Sequence, residues 1–153
     1  MAFVSGALAQ EIKVGTLMAH TGPLKEYGPA IKNGAVLAAK QMAADGFNIN
    51  LIHEDSETKP IPGTGAAKKL VEIDRVVAII GALASGVTQP VAESVTCPNN
   101  VIMISPASTS PLLSVLPADK GKDFLFRTCP SDALQGIVSG KVAASFSKTA
   151  LVI

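Results

Sequence analysis

Apolar positions along this chain follow two alternating periods, short strand-like runs and longer helical stripes. Ile12–Met18 (IKVGTLM) predicts a strand, closed by the turn residues Thr21, Gly22 and Pro23. Ile31, Ala35, Ala38 and Met42 then recur at spacings of four, three and four, one face of a helix that opens near Pro29 and ends near Asp45-Gly46. Ile49–His53 predicts a second strand, followed by an acidic turn at Glu54-Asp55-Ser56. Pro60 and Pro62 are expected to delay the next helix, whose apolar face reads Ala66, Leu70 and Ile73. Val76–Ile80 is β-branched and predicts a buried third strand. Gly81–Gly86 forms a small-residue turn, and Val87, Val91 and Val95 mark a third helix that tolerates Pro90 near its first turn. Val101–Ile104 and Phe124–Arg127 predict strands four and five. Ser131 reads as the N-cap of a helix carrying Leu134, Ile137, Val138 and Val142, and Thr149–Ile153 begins a sixth strand.

Strands separated by helical crossovers imply an α/β fold, a doubly wound and mainly parallel sheet with helices on both faces. Such sheets bind ligands beyond the carboxyl ends of their strands, where the strand order reverses. That rule directs attention to three loops, Ala19–Gly28, Gly81–Gly86 and Ser105–Pro111, all built from small, polar or turn residues.

Composition narrows the class. Hydrophobic residues make up 48% of the 153 and aromatics only 4%, a mixture suited to helices packed on a buried sheet. A net charge of +1 with no basic stripe or acidic tail argues against nucleic acid and anionic membrane surfaces as partners. The longest apolar run, Val76–Leu83, is interrupted by Gly81 and falls far short of the ~18 residues of a spanning helix, so direct membrane insertion is not expected. Residues 1–9 (MAFVSGALA) end in Ala7-Leu8-Ala9 and resemble the back half of an export signal, which implies a periplasmic, exported protein; the alternative is a loose tail. Cys97 and Cys129 sit at predicted strand ends on separate units, so a disulfide is disfavoured.

The chemistry of the three loops suits an anion and its counter-group. At Ala84-Ser85-Gly86 a helix begins at the sheet's carboxyl edge, where free N–H groups attract a carboxylate. The Ser85 hydroxyl either adds a hydrogen bond to that ligand or caps its own helix, and the two roles are compatible. Ser105–Ser110 holds four hydroxyls in six residues, restrained by two neighbouring prolines, either a binding loop or a polar surface loop. Tyr27, the only Tyr, either packs on a ligand side chain or covers the core.

Enzymatic constellations are missing. His20 and His53 lie on different elements without an H-E-x-x-H pairing, and no G-x-S-x-G surrounds any serine. Gly63–Lys69 (GTGAAKK) lacks the spacing of a phosphate loop and reads as a solvated helix start. The Glu54, Asp55 and Glu57 cluster reads as a solvated or capping turn. No cofactor and no metal ligand set is expected.

The segments IKVGTLMAHTGPLKEYG, VVAIIGALASGVTQPVA, VIMISPASTSPLL and FLFRTCPSDALQG, in this order and spacing, resemble the periplasmic branched-chain amino-acid-binding family of ABC importers. The likeness runs from about Glu11 to the end of the chain. It implies a two-lobed protein that closes on an amino acid and delivers it to a membrane permease. By motif position it implies that Ser85 holds the ligand carboxylate, that the Ala107 carbonyl and Thr109 hydroxyl take the ammonium group, and that Tyr27 lines the side-chain pocket. Ser108 falls inside the matched motif, and Asp132 in a matching segment, where a helix-start charge is the first reading. The resemblance also implies that residues 10–148 form the N-terminal lobe, that 149–153 begin the first strand of a second lobe, and that the chain is truncated before it. Extracellular sensor domains share this fold; sequence beyond Ile153 would separate importer from sensor, by a second lobe ending the chain or a following membrane segment and signalling domain.

Overall fold

A computed structural model describes residues 10–146 and Thr149. The expected export-signal remnant at 1–9 and residues 150–153 of the expected sixth strand lie outside the described residues, and Thr149 is exposed and belongs to no regular element. The described elements run β1 (Glu11–Met18), α1 (Gly28–Ala44), β2 (Asn48–Asp55), α2 (Pro60–Lys68), β3 (Ala78–Gly81), α3 (Ser85–Val91), β4 (Ile102–Ser105), β5 (Leu125–Arg127) and α4 (Asp132–Phe146). All four strand pairings are parallel and the sheet order is β2-β1-β3-β4-β5. The fold is the doubly wound α/β sheet expected from the strand–helix rhythm.

Side-chain parity assigns the two faces. Leu17, Ile79 and Met103 point to one side, where they pack with Ala67 and Leu70 from the α2 segment and Val87, Val91 and Val95 from the α3 segment. Met18 and Ile80 point to the other, where Ile31 of α1 meets them. Gly15 sits under α2 because a Cβ there would lie 2.9 Å from Leu70 Cδ1. Gly63 does the same between α2 and α3, where a Cβ would come within 2.5 Å of Val87. Gly63, expected in a solvated helix start, is therefore a buried helix-packing residue.

Several expectations shift by a residue or a turn, each for a local reason. α2 starts at Pro60 itself rather than being delayed, because first-turn N–H groups have no intrahelical partner and proline loses nothing there. Its buried face is Gly63, Ala67 and Leu70 rather than Ala66, Leu70 and Ile73. The helix loosens into a π turn over Lys69–Ile73, and the extra residue rotates Ile73 out to 72% exposure. α1 packs through half-buried Ile31, Ala35, Val36 and Ala39, leaving Ala38 and Met42 exposed. Glu54 and Asp55 are not a turn; they end β2, paired with Leu17 and Met18. Pro90 lies in the second turn of α3, and a π turn follows at Ala92–Thr96. Cys97 is buried, Cys129 half-buried, and both are free thiols.

The start of α1 is pressed against the sheet. An ideal Cβ on Gly28 would lie 1.9 Å from the Ala19 carbonyl oxygen, which no side-chain rotation can relieve. Gly28→Ala should therefore move the α1 start and destabilise the fold by about 1–3 kcal/mol. A denaturant midpoint equal to the parent's would contradict this packing.

Candidate functional site

β1 leads to β2 on one side and β3 lies on the other, so the strand order reverses between β1 and β3. The loops leaving the carboxyl ends of β1, β3 and β4 meet there. Their floor is the buried trio Met18, Ala19 and Leu83, packed by Leu24 from the first loop and Ala107 from the third. The three loops singled out in the sequence thus converge on one apolar base.

Ser85 is the first residue of α3, and Ala84 occupies the N-cap position. Its hydroxyl does not cap the helix; it accepts the Ser110 N–H at 3.2 Å, which ties the second loop to the third. The helix's first backbone bonds run from the Val87 and Thr88 N–H groups to the Ala84 carbonyl. Those of Ser85 and Gly86 precede that turn. Thr109 donates its hydroxyl proton to Asp132 Oδ2 at 2.8 Å, while the Thr109 carbonyl accepts the Asp132 N–H at 2.9 Å. That proton is committed, so the lone pairs of Thr109 Oγ1 remain to accept from a ligand. Ala107 is half-buried over the apolar floor. Tyr27 sits at the N-cap of α1 with 61% of its surface exposed, so it does not cover the core. Ser108 differs from the others. Its side chain is fully buried and turned inward, 2.7 Å from Thr88 Oγ1 and 3.2 Å from the Leu83 carbonyl.

Two supports reach further than the sequence reading. Asp55 Oδ1 accepts the N–H groups of His20 at 2.9 Å, Thr21 at 3.3 Å and Glu57 at 2.9 Å, and Oδ2 accepts the Thr21 hydroxyl at 2.7 Å. This carboxylate fastens the loop that leads to Tyr27 onto the end of β2. The presumed acidic cluster is really three separate jobs, since Glu54 pairs with Lys69 at 2.6 Å and Glu57 with Lys59 at 3.4 Å. Arg127, at the end of β5, donates to the carbonyls of Ser110 at 2.8 Å and Ser108 at 3.4 Å, and to the Ser114 hydroxyl. A lone cation at a strand's carboxyl end was the available signal. His53 joins Thr16 across β1 and β2 at 2.6 Å; burial, with help from Lys32 and His20, lowers its pKa.

The Asp55 clasp predicts a pH dependence. Burial alone would raise its pKa, but hydrogen bonds from the Thr21 hydroxyl and three N–H groups outweigh it and hold the group below its ordinary 3.8. The clasp's contribution is complete above that ordinary value and disappears as pH falls through the lower folded pKa. The stability gap between parent and Asp55→Asn, read from urea midpoints, should shrink as pH drops below about 4. A gap independent of pH would remove the charged clasp.

A family model described as periplasmic binding protein matches residues 11–152. The chain belongs to the periplasmic binding protein family. An amino acid binding protein of Pseudomonas aeruginosa is 33% identical over 144 residues, covering 92% of this chain and 37% of that protein. A Leu/Ile/Val-binding protein of Escherichia coli is 32% identical over 145 residues, covering 92% of this chain and 38% of its own length. Among solved structures, the branched-chain amino acid transporter substrate binding protein LivJ from Streptococcus pneumoniae, in complex with isoleucine, superposes with a TM-score of 0.72 at 27% identity over 88% of this chain and 39% of that one. A Rhodopseudomonas palustris solute binding protein holding 3,4-dihydroxy benzoic acid shares the fold, with a TM-score of 0.77 at 23% identity over 90% of this chain and 37% of that one. Periplasmic binding proteins of this group bind solutes and are not enzymes. The present chain spans 37–38% of the length of these curated relatives. Among the described residues of this periplasmic binding protein family member there is no cluster of His, Cys, Asp and Glu that could hold a metal, and no helix long and apolar enough to cross a membrane.

Proposed function

We propose that this chain supplies one wall of an amino-acid-binding cleft in an exported receptor of an ABC importer. The carrying observation is the pairing of opposite chemistries across two linked loops. At Ser85 the hydroxyl already accepts from Ser110, so its own proton is available to a carboxylate, beside the N–H groups of Ser85 and Gly86. At Thr109 the hydroxyl proton belongs to Asp132, so acceptors and a neighbouring negative charge face the position of an ammonium group. The Ala107 carbonyl adds a second acceptor on that side. A free amino acid carries both groups, and burying either without partners is costly. Tyr27 stands at the rim as a contact for the side chain, which fits a branched-chain or similar ligand. A permease in the membrane receives the loaded protein in this reading.

The Thr109–Asp132 pair separates an amino acid from a plain carboxylic acid such as a benzoate, which has no use for acceptors. A thermal-shift panel on the full natural chain should therefore show stabilisation by aliphatic amino acids and none by their deaminated acids or by hydroxybenzoates. Stabilisation by the acids alone would replace this reading with an aromatic-acid receptor.

A further inference from the structure

We propose that Thr88 and Ser108 are positioning residues, a buried hydroxyl clasp that fixes the distance between the carboxylate-binding and ammonium-binding loops. The proposal rests on the functional reading above and goes beyond it, since neither side chain touches the ligand.

The clasp closes on the carbonyl of Ala82, at the end of β3. Three hydroxyl oxygens surround that carbonyl: Ser105 Oγ at 2.6 Å, Thr88 Oγ1 at 3.2 Å and Ser108 Oγ at 3.3 Å. Thr88 and Ser108 lie 2.7 Å from each other, and Ser108 Oγ reaches the Leu83 carbonyl at 3.2 Å. The Ser108 N–H also donates to Ser105 Oγ at 3.0 Å. Ser105, Ser108 and Thr88 are all fully buried.

The protons balance in two ways. In one, Thr88 donates to Ser108, which donates to the Leu83 or the Ala82 carbonyl; in the other, Ser108 donates to Thr88, which donates to Ala82. Both leave Ser105 donating to Ala82, and both bind the β4 loop to the β3 loop from inside. Among the described residues no buried side-chain polar atom lacks a partner. A satisfied buried network of this kind specifies one arrangement where apolar packing tolerates several.

Its position gives it a job. Ala107 lies between Ser105 and Ser108, Thr109 follows Ser108 directly, and Ser85 follows Ala82 by three residues. Every group assigned to the ligand's carboxylate and ammonium ends thus lies within a few residues of the clasp. On the outer side Ser110 N–H to Ser85 Oγ, and Arg127 to the Ser108 and Ser110 carbonyls, complete the frame.

The test separates affinity from stability in the full natural chain, by calorimetric titration with its preferred amino acid and by thermal melting. Thr88→Val keeps the shape and removes the hydroxyl; it should melt near the parent and bind about tenfold more weakly. Thr88→Ser keeps the hydroxyl and loses a core methyl; it should melt lower and bind like the parent. Ser108→Ala should match Thr88→Val in affinity, and the double variant should be no weaker than either single one, because both break the same link. Parent-like affinity in both Thr88→Val and Ser108→Ala, or failure of Thr88→Ser to retain binding, overturns the clasp while leaving the functional reading intact. A parent that binds none of the twenty amino acids overturns that reading and this proposal with it.

Discussion

Ser85→Ala and Thr109→Ala, made separately in the full natural chain, each weaken binding of the preferred amino acid roughly ten- to a hundredfold, the range for a hydrogen bond to a charged group of about 1.5–3 kcal/mol. The two losses have different origins. Ser85→Ala removes a donor to the carboxylate and also frees the Ser110 N–H, loosening the link between two loops. Thr109→Ala removes an acceptor for the ammonium group and releases Asp132, which is exposed and rehydrates at little cost. Ser94→Ala is the control: Ser94 is exposed on the far end of the α3 segment with its hydroxyl donating to the Pro90 carbonyl, and its loss should leave affinity unchanged. Calorimetric titration reads all three, and parent-like affinity in both site variants would remove these residues from the site.

The second large effect concerns the 153 residues expressed alone. Leu134, Ile137, Val138 and Val142 of α4 are each between 52% and 58% exposed, and no residue of that helix is buried. On the sheet, Ile80, Ile104 and Phe126 lie side by side in register on the α1 face, and Phe126 is 47% exposed. Apolar surfaces of this extent seek a partner. These 153 residues should sediment as oligomers or aggregates at micromolar concentration, and Ile137→Lys with Val138→Glu should shift them toward monomer. A sharp-melting monomer of the parent sequence would contradict the exposed faces.

The order of elements was legible because turn residues punctuate nearly every strand and helix, and because Val87, Val91 and Val95 leave no choice of face. Helix phase was less legible where the sequence is nearly all small residues. In α1, Ala38 and Ala39 are indistinguishable by hydropathy, and only contact with the sheet selects Ala39. In α2 a π turn breaks the period at Lys69, which no spacing rule anticipates. The loops that make the site were recognisable by their glycines, serines and prolines. The direction each hydroxyl takes was not, since Ser108 turns inward and Thr109 outward through backbone geometry that neighbouring residues impose. Asp55 was legible as part of a capping turn, which its bond to the Glu57 N–H fits, but its reach to the His20 loop, 34 and 35 residues away, was not, nor were the partners of Arg127, 13 to 19 residues away.

The most direct measurement is a crystal structure of the full natural chain with its tightest-binding amino acid. The expected result puts the ligand carboxylate within hydrogen-bond distance of the Ser85 hydroxyl, and the ammonium group on the Ala107 carbonyl and Thr109 Oγ1, with the Thr109–Asp132 bond intact. A ligand seated elsewhere, or in the same cleft with its ends reversed, would contradict the half-site assigned to this chain.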